Sequence, residues 1–215
     1  MAEEPDRQEL LTALTTEHFT LQGARSQTMG ESSSRASLYI LSVSSTLVAL
    51  GFIGQLSEVG DTFNLFALIA LPTVYLLGAF TFVRLVELGA EDFLYGLAIN
   101  RIRGYYKQQA GDRAELFLLS GHDDGRGVFA NTGVPVENRP QYFTFGAVVA
   151  VVNSVVGGSA VAIALGAVAD APLGTAAAIG GAAALLSLIG WLRYADRLLA
   201  ARTAGTSPVF PSPPS

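Results

Sequence analysis

The amino-acid sequence predicts an all-α polytopic membrane protein, with four transmembrane helices arranged as two hairpins and a small helical cytoplasmic layer. Three observations predict it. Four stretches carry no charge and reach the ~20 residues that a helix rising about 1.5 Å per residue needs to cross ~30 Å of hydrocarbon. The 215 residues are 50% hydrophobic and only 14% charged, with mean hydropathy +0.42, whereas an ordinary soluble domain is about a quarter charged. The thirteen basic residues lie only in the N-terminal segment, between Arg84 and Arg139, or between Arg193 and Arg202. Lys and Arg near span ends stay cytoplasmic, so both termini and the central segment are expected inside.

Residues 1–35 are polar and begin acidic, unlike a secretory signal, and Leu10, Leu11, Leu14, Phe19 and Leu21 suggest a short amphipathic helix. The first span is 36–56, the second 62–83, joined by the turn SEVGD; residues 36–84 form the first hairpin. Lipid offers no partner for backbone polar groups, so each run has to be helical. From Arg84 to Gln109 apolar residues recur at helical spacing (Leu85, Leu88, Leu94, Leu97, Ile102), which extends the second span as an amphipathic helix. Asp112 and Glu115 form a D-x-x-E pattern expected to cap a helix through Leu116–Leu119. The following Gly-, Asp- and Pro-rich stretch reads as a loop, completing a cytoplasmic segment of 85–141.

The second hairpin, 142–192, holds spans at 143–169 and 173–192; Tyr142, Trp191 and Tyr194 mark inner boundaries. The segment 193–215 ends in a Pro- and Ser-rich tail, from Thr203 onward, expected to be disordered. Pro72 is expected to kink the second span.

Polar residues in the spans are the first functional candidates, because lipid makes them costly. Ser42, Ser44, Ser45 and Asn153 read either as pore-lining or as interhelical groups that bond their own or a neighbouring helix. Ser154, Gly158 and Ala162, with Gly180 and Gly181 on the fourth span, make small-xxx-small ladders expected at helix contacts. Arg84 and Glu87, three apart, are expected to pair. His122, Asp123, Asp124 and Arg126 form the only cluster suggestive of chemistry, read either as a turn or as a cytoplasmic ligand loop.

The exclusions are equally specific. With no cysteine and two histidines, the chain offers no thiolate metal site, no nucleophile–base set and no cofactor motif. No Asp, Glu, Lys, Arg or His lies inside a span, which argues against a proton-coupled pump. A net charge of −5 gives no case for nucleic acid.

RIRGYYKQQAGDRAELFLLSGHDDGRGVFANTG and VVAVVNSVVGG resemble a group of uncharacterised bacterial integral membrane proteins, with the Ala/Gly/Val/Arg-rich usage of actinobacteria. That resemblance covers most of the chain and implies the inner (cytoplasmic) membrane but no activity. In layout alone the chain is similar to SLATT-type transmembrane effectors, in which a helix precedes a membrane hairpin. No residue roles follow from it. The sequence therefore leads to a non-enzymatic membrane protein, without cofactor or metal, that forms a homo-oligomer in the lipid bilayer. Its expected role is a pore-forming or membrane-permeabilising effector gated by its cytoplasmic layer. The alternative is a structural or adaptor protein that recruits a cytoplasmic partner.

Overall fold

The computed structural model describes residues 3–57, 60–133 and 145–213. Tyr142, Glu58 and residues 134–144 of the long loop and third span lie outside them. The described residues form five α-helices and no strand: α1 (Glu3–Leu56), α2 (Asp61–Ala110), α3 (Gly125–Ala130), α4 (Phe145–Ala169) and α5 (Leu173–Thr203). Four of these, all but α3, are long and apolar enough to cross a membrane. The chain divides into a polar unit (1–31, 88–142, 201–215) and a span unit (32–87, 143–200).

The span unit buries small and polar residues alongside a few large ones, and leaves many large apolar residues outside. Ala67, Gly78, Val149, Ala150, Asn153, Ser154, Gly158, Ala176 and Gly180 are buried. Leu38, Leu41, Leu47, Phe52, Leu65, Ile69, Phe80, Val155, Leu185 and Leu186 are exposed. In water such a surface would be a large association liability, whereas facing lipid tails it costs nothing. The core joins Tyr39, Val43 and Leu50 of α1, Leu71, Val74 and Phe82 of α2, and Val149 and Val156 of α4. Trp191 of α5, expected at a membrane boundary, stacks on Phe82 with ring centroids 5.0 Å apart, and Tyr194 lies 6.5 Å from the same ring. Arg84 and Glu87 make the expected i,i+3 pair at 3.3 Å. Asp170, at φ +49°, ends α4, and Pro172 opens the way into α5. Asp tolerates that left-handed conformation better than most residues with a Cβ.

In the polar unit, α1 and α2 run antiparallel. Arg7 Nη2 donates to Gln109 Oε1 at 2.8 Å, Thr15 Oγ1 lies 3.2 Å from Tyr106 OH, and Arg25 forks onto both oxygens of Asp92 at 2.7 and 3.2 Å.

Three local expectations change. No break separates an N-terminal helix from the first span, because α1 continues through Gly23, Gly30 and Ser32–Ser34. The Asp112–Glu115 pattern caps no helix: a 3₁₀ turn covers Gly111–Leu116, with Gly111 at φ +53°, and Phe117 is already extended. The tail is ordered to Pro213 through hydrogen bonds to the 120–127 loop.

Candidate functional site

Each sequence candidate falls into one of three places. The first is the middle of the span unit. Asn153 of α4 is fully buried, with 0% exposure, and its Oδ1 accepts from Tyr39 OH of α1 at 3.0 Å. It sits in the notch left by Gly78 of α2, where a Cβ would stand 2.5 Å from Asn153 Cγ and 2.7 Å from Tyr39 Cε2. Its Nδ2 has no partner among the described residues. A second polar contact follows one residue on, where Ser154 Oγ donates to Ser187 Oγ at 3.3 Å and Ser187 also meets Tyr75 OH at 3.2 Å. Asn153 and Ser154 therefore bond across helices within one subunit.

Ser42 donates to the Leu38 carbonyl at 2.9 Å, the back-bonding that Ser and Thr adopt in apolar helices. Ser44 and Ser45 face outward from the span unit. A groove of about 320 Å3 between α1, α2 and α4 is lined by Val43, Leu47, Leu71, Val155 and Ile163 among others, and Ser159 is its one polar lining residue.

The second place is the α4–α5 crossing. A Cβ on Gly180 would stand 2.5 Å from the Gly158 carbonyl and 2.8 Å from Ala162 Cβ; one on Gly158 would meet the Gly180 carbonyl and, at 2.7 Å, Ala184 Cβ. Only glycine lets these two backbones touch. Gly181 opens on empty space instead.

The third place is the HDD loop of the polar unit. Asp124, with extended backbone, caps α3 by accepting from Gly127 N–H at 2.8 Å. Its carboxylate also accepts from Ser212 N–H at 2.5 Å and Ser212 Oγ at 2.7 Å. Asp123, whose side chain is fully buried, accepts from Val209 N–H at 3.0 Å, Phe210 N–H at 2.7 Å and Arg101 Nε at 2.5 Å. Burial works to raise both carboxyl pKa values. The bonds from Val209, Arg101 and Phe210 at Asp123, and from Gly127 and Ser212 at Asp124, outweigh it and hold both below the ordinary range. His122 is fixed by its backbone, its N–H bonded to Ser120 Oγ at 3.1 Å and its carbonyl to Asn100 Nδ2 at 2.9 Å.

The expected ligand loop thus changes character. Its carboxylates hold the chain's own tail, the Gly127 N–H is spent on the α3 cap, and Arg126 is exposed with Nη1 3.4 Å from the Pro213 carbonyl. Among the described residues no group of three or more His, Asp or Glu could hold a metal ion.

Several residues of this site carried no sequence signal. Asn100, buried in α2, accepts from Arg103 and Asn131, and Asn131 in turn receives Ser120 N–H at 2.6 Å; together they fix the loop's shape. The one clue was a polar Asn on an otherwise apolar helix face. Comparison of the chain with known protein families, curated proteins and solved structures gave no match.

Proposed function

We propose that the protein is a non-enzymatic integral membrane protein of the adaptor kind. In this reading the four spans hold it, as a homo-oligomer, in a bacterial cytoplasmic membrane with both termini inside, and the polar unit recruits a cytoplasmic protein. One observation carries the adaptor role: Leu116–Leu119 is an apolar run on the polar unit, with Leu116 78% and Leu118 94% exposed. Contiguous exposed apolar residues of this kind favour an interaction surface. The bond from Tyr39 to Asn153 within the chain also favours this reading over a pore lined by Asn153.

The test is a photo-crosslinking residue at position 118 in cells. The reading expects a discrete protein adduct that Leu116→Ser abolishes while membrane insertion is kept. Adducts to lipid alone, or none, would refute it.

Ser44 and Ser45 favour a second reading. Both hydroxyls face outward from a span, where several copies could bring them around an aqueous path. Planar-bilayer recording decides: discrete currents abolished by Ser44→Leu with Ser45→Leu support a pore, and silence supports the adaptor.

A further inference from the structure

The segment 206–213 (TSPVFPSP) lies on the polar unit as a bound peptide would. Its three prolines have no N–H to offer. After Pro208 only Val209, Phe210 and Ser212 carry backbone donors, and the carboxylates of Asp123 and Asp124 take all three. Some acceptors of the segment are met as well. The Ser207 carbonyl receives Arg101 Nη2 at 2.6 Å, and the Phe210 carbonyl receives Asp123 N–H at 3.1 Å.

Two side chains are read besides the backbone. Ser212 Oγ bonds Asp124. The Phe210 ring fills a notch at Gly104, where a Cβ would stand 2.6 Å from Phe210 Cδ2 and 2.6 Å from the Gly121 carbonyl. Main-chain bonds for affinity, one aromatic pocket for selectivity and a proline-stiffened ligand that loses little entropy are the features of peptide-recognition sites.

We propose that the Arg101–Asp123–Asp124 cleft is a peptide-binding site for an aromatic-Pro-Ser segment that bends at the aromatic residue. The chain's own tail occupies it at rest, and a partner protein displaying the same pattern displaces that tail. The partner's identity rests on the adaptor reading; the cleft itself does not. A tethered ligand has an effective concentration on the order of millimolar, so occupancy in cis masks the site from weaker ligands in trans.

The experiment uses the full-length protein in lipid nanodiscs and a fluorescein-labelled peptide, TSPVFPSP, read by anisotropy. Wild-type protein should bind it weakly. Phe210→Ala in the chain loosens the resident tail and should tighten peptide binding at least tenfold. Adding Asp123→Asn, or replacing Phe by Ala in the peptide, should remove that gain.

Hydrogen exchange of wild-type protein gives a readout independent of any variant. Val209, Phe210 and Ser212 amides should be protected, and excess peptide should speed their exchange. Free exchange without peptide, no gain in Phe210→Ala, or equal binding with Asp123→Asn would each overturn the proposal. So would an oligomer that dissociates in Phe210→Ala, which would assign the cleft to a second copy's tail. Peptide binding without a partner crosslinked at position 118 would keep the cleft and drop the adaptor role; a crosslinked partner without peptide binding would do the reverse.

Discussion

Replacing Gly158 by Ala is the sharpest test of the span unit, because one methyl group decides it. The new Cβ would stand 2.7 Å from Ala184 Cβ and 3.2 Å from Ala184 N, besides pressing on the Gly180 carbonyl. Carbon atoms rest at about 3.5–4.0 Å, so α4 and α5 must separate locally by roughly 1 Å. The obstacle is backbone and a Cβ, neither of which can rotate away. Overpacking of this kind costs about 1–3 kcal/mol, and Ala returns up to about 1 kcal/mol of helix propensity over Gly. The net expectation is a loss of about 1–2 kcal/mol, a factor of roughly 5–30 in the folded ratio.

Gly181→Ala, one residue from the contact partner Gly180, meets nothing within 4 Å and should be neutral or mildly stabilising. Unfolding in mixed micelles can follow the fluorescence of Trp191, the single tryptophan, which reports separation from Phe82. If Gly158→Ala were as stable as wild type, or Gly181→Ala equally damaged, the assignment of this crossing would be wrong.

Three further outcomes are expected. Tyr39→Phe and Asn153→Ala should be non-additive in the same unfolding assay, with a coupling of about 1 kcal/mol for a bond in the membrane interior; strict additivity would mean that the Tyr39–Asn153 bond contributes nothing. Because the Asp123 and Asp124 pKa values are depressed on folding, their contribution is complete above the ordinary Asp value of about 3.9 and disappears as pH falls through the lower folded values. A spin label on Val209→Cys, in a chain with no other cysteine, should stay immobile from neutral pH down to about 4 and become mobile only as pH falls further, through the lowered folded values; mobility at neutral pH would contradict the docking. His18 is pushed below its ordinary pKa by burial and then by Arg103, so the fold favours the neutral ring. Stability from this group is present above about 6.5 and falls as pH drops below it, so the melting temperature should be lower at pH 5.5 than at 7.5, and His18→Gln should reduce that difference.

The four spans were legible because lipid restricts composition over a whole run, and a run survives uncertainty about any one residue. The need of Asn153 for a partner was legible in the same way, since a buried amide in hydrocarbon is costly. Its partner was not: Tyr39 reads as one more aromatic in an apolar stretch, and only the approach of α1 to α4 turns its hydroxyl into a donor. The continuity of α1 was hidden because Gly30 and Ser32–Ser34 locally favour a break. A tertiary contact just upstream works against that preference, where Arg25 ties α1 to Asp92 of α2 at 2.7 Å. Order in the tail was the least legible feature. Proline and serine favour disorder in isolation, and the carboxylates that receive this tail lie more than eighty residues earlier in the chain.

Between lipid-facing helices there is no hydrophobic effect to close a bundle, so close packing and interhelical hydrogen bonds have to do it. In the span unit those resources are largely used within the one chain. Gly158 and Gly180 press on each other, Gly78 receives Asn153, and a Cβ on Gly157 would stand 2.6 Å from the Tyr75 ring. The small residues left outward on α5 include two pairs one turn apart, Ala177 with Gly181 and Ala178 with Ala182. A homo-oligomer built through small residues of α5 would therefore use outward positions such as Ala177 and Gly181 rather than Gly158 and Gly180. Gly181→Leu would then weaken assembly without disturbing the fold of the subunit, whereas a bulky residue at Gly158 would unfold the subunit first and report nothing about its partners.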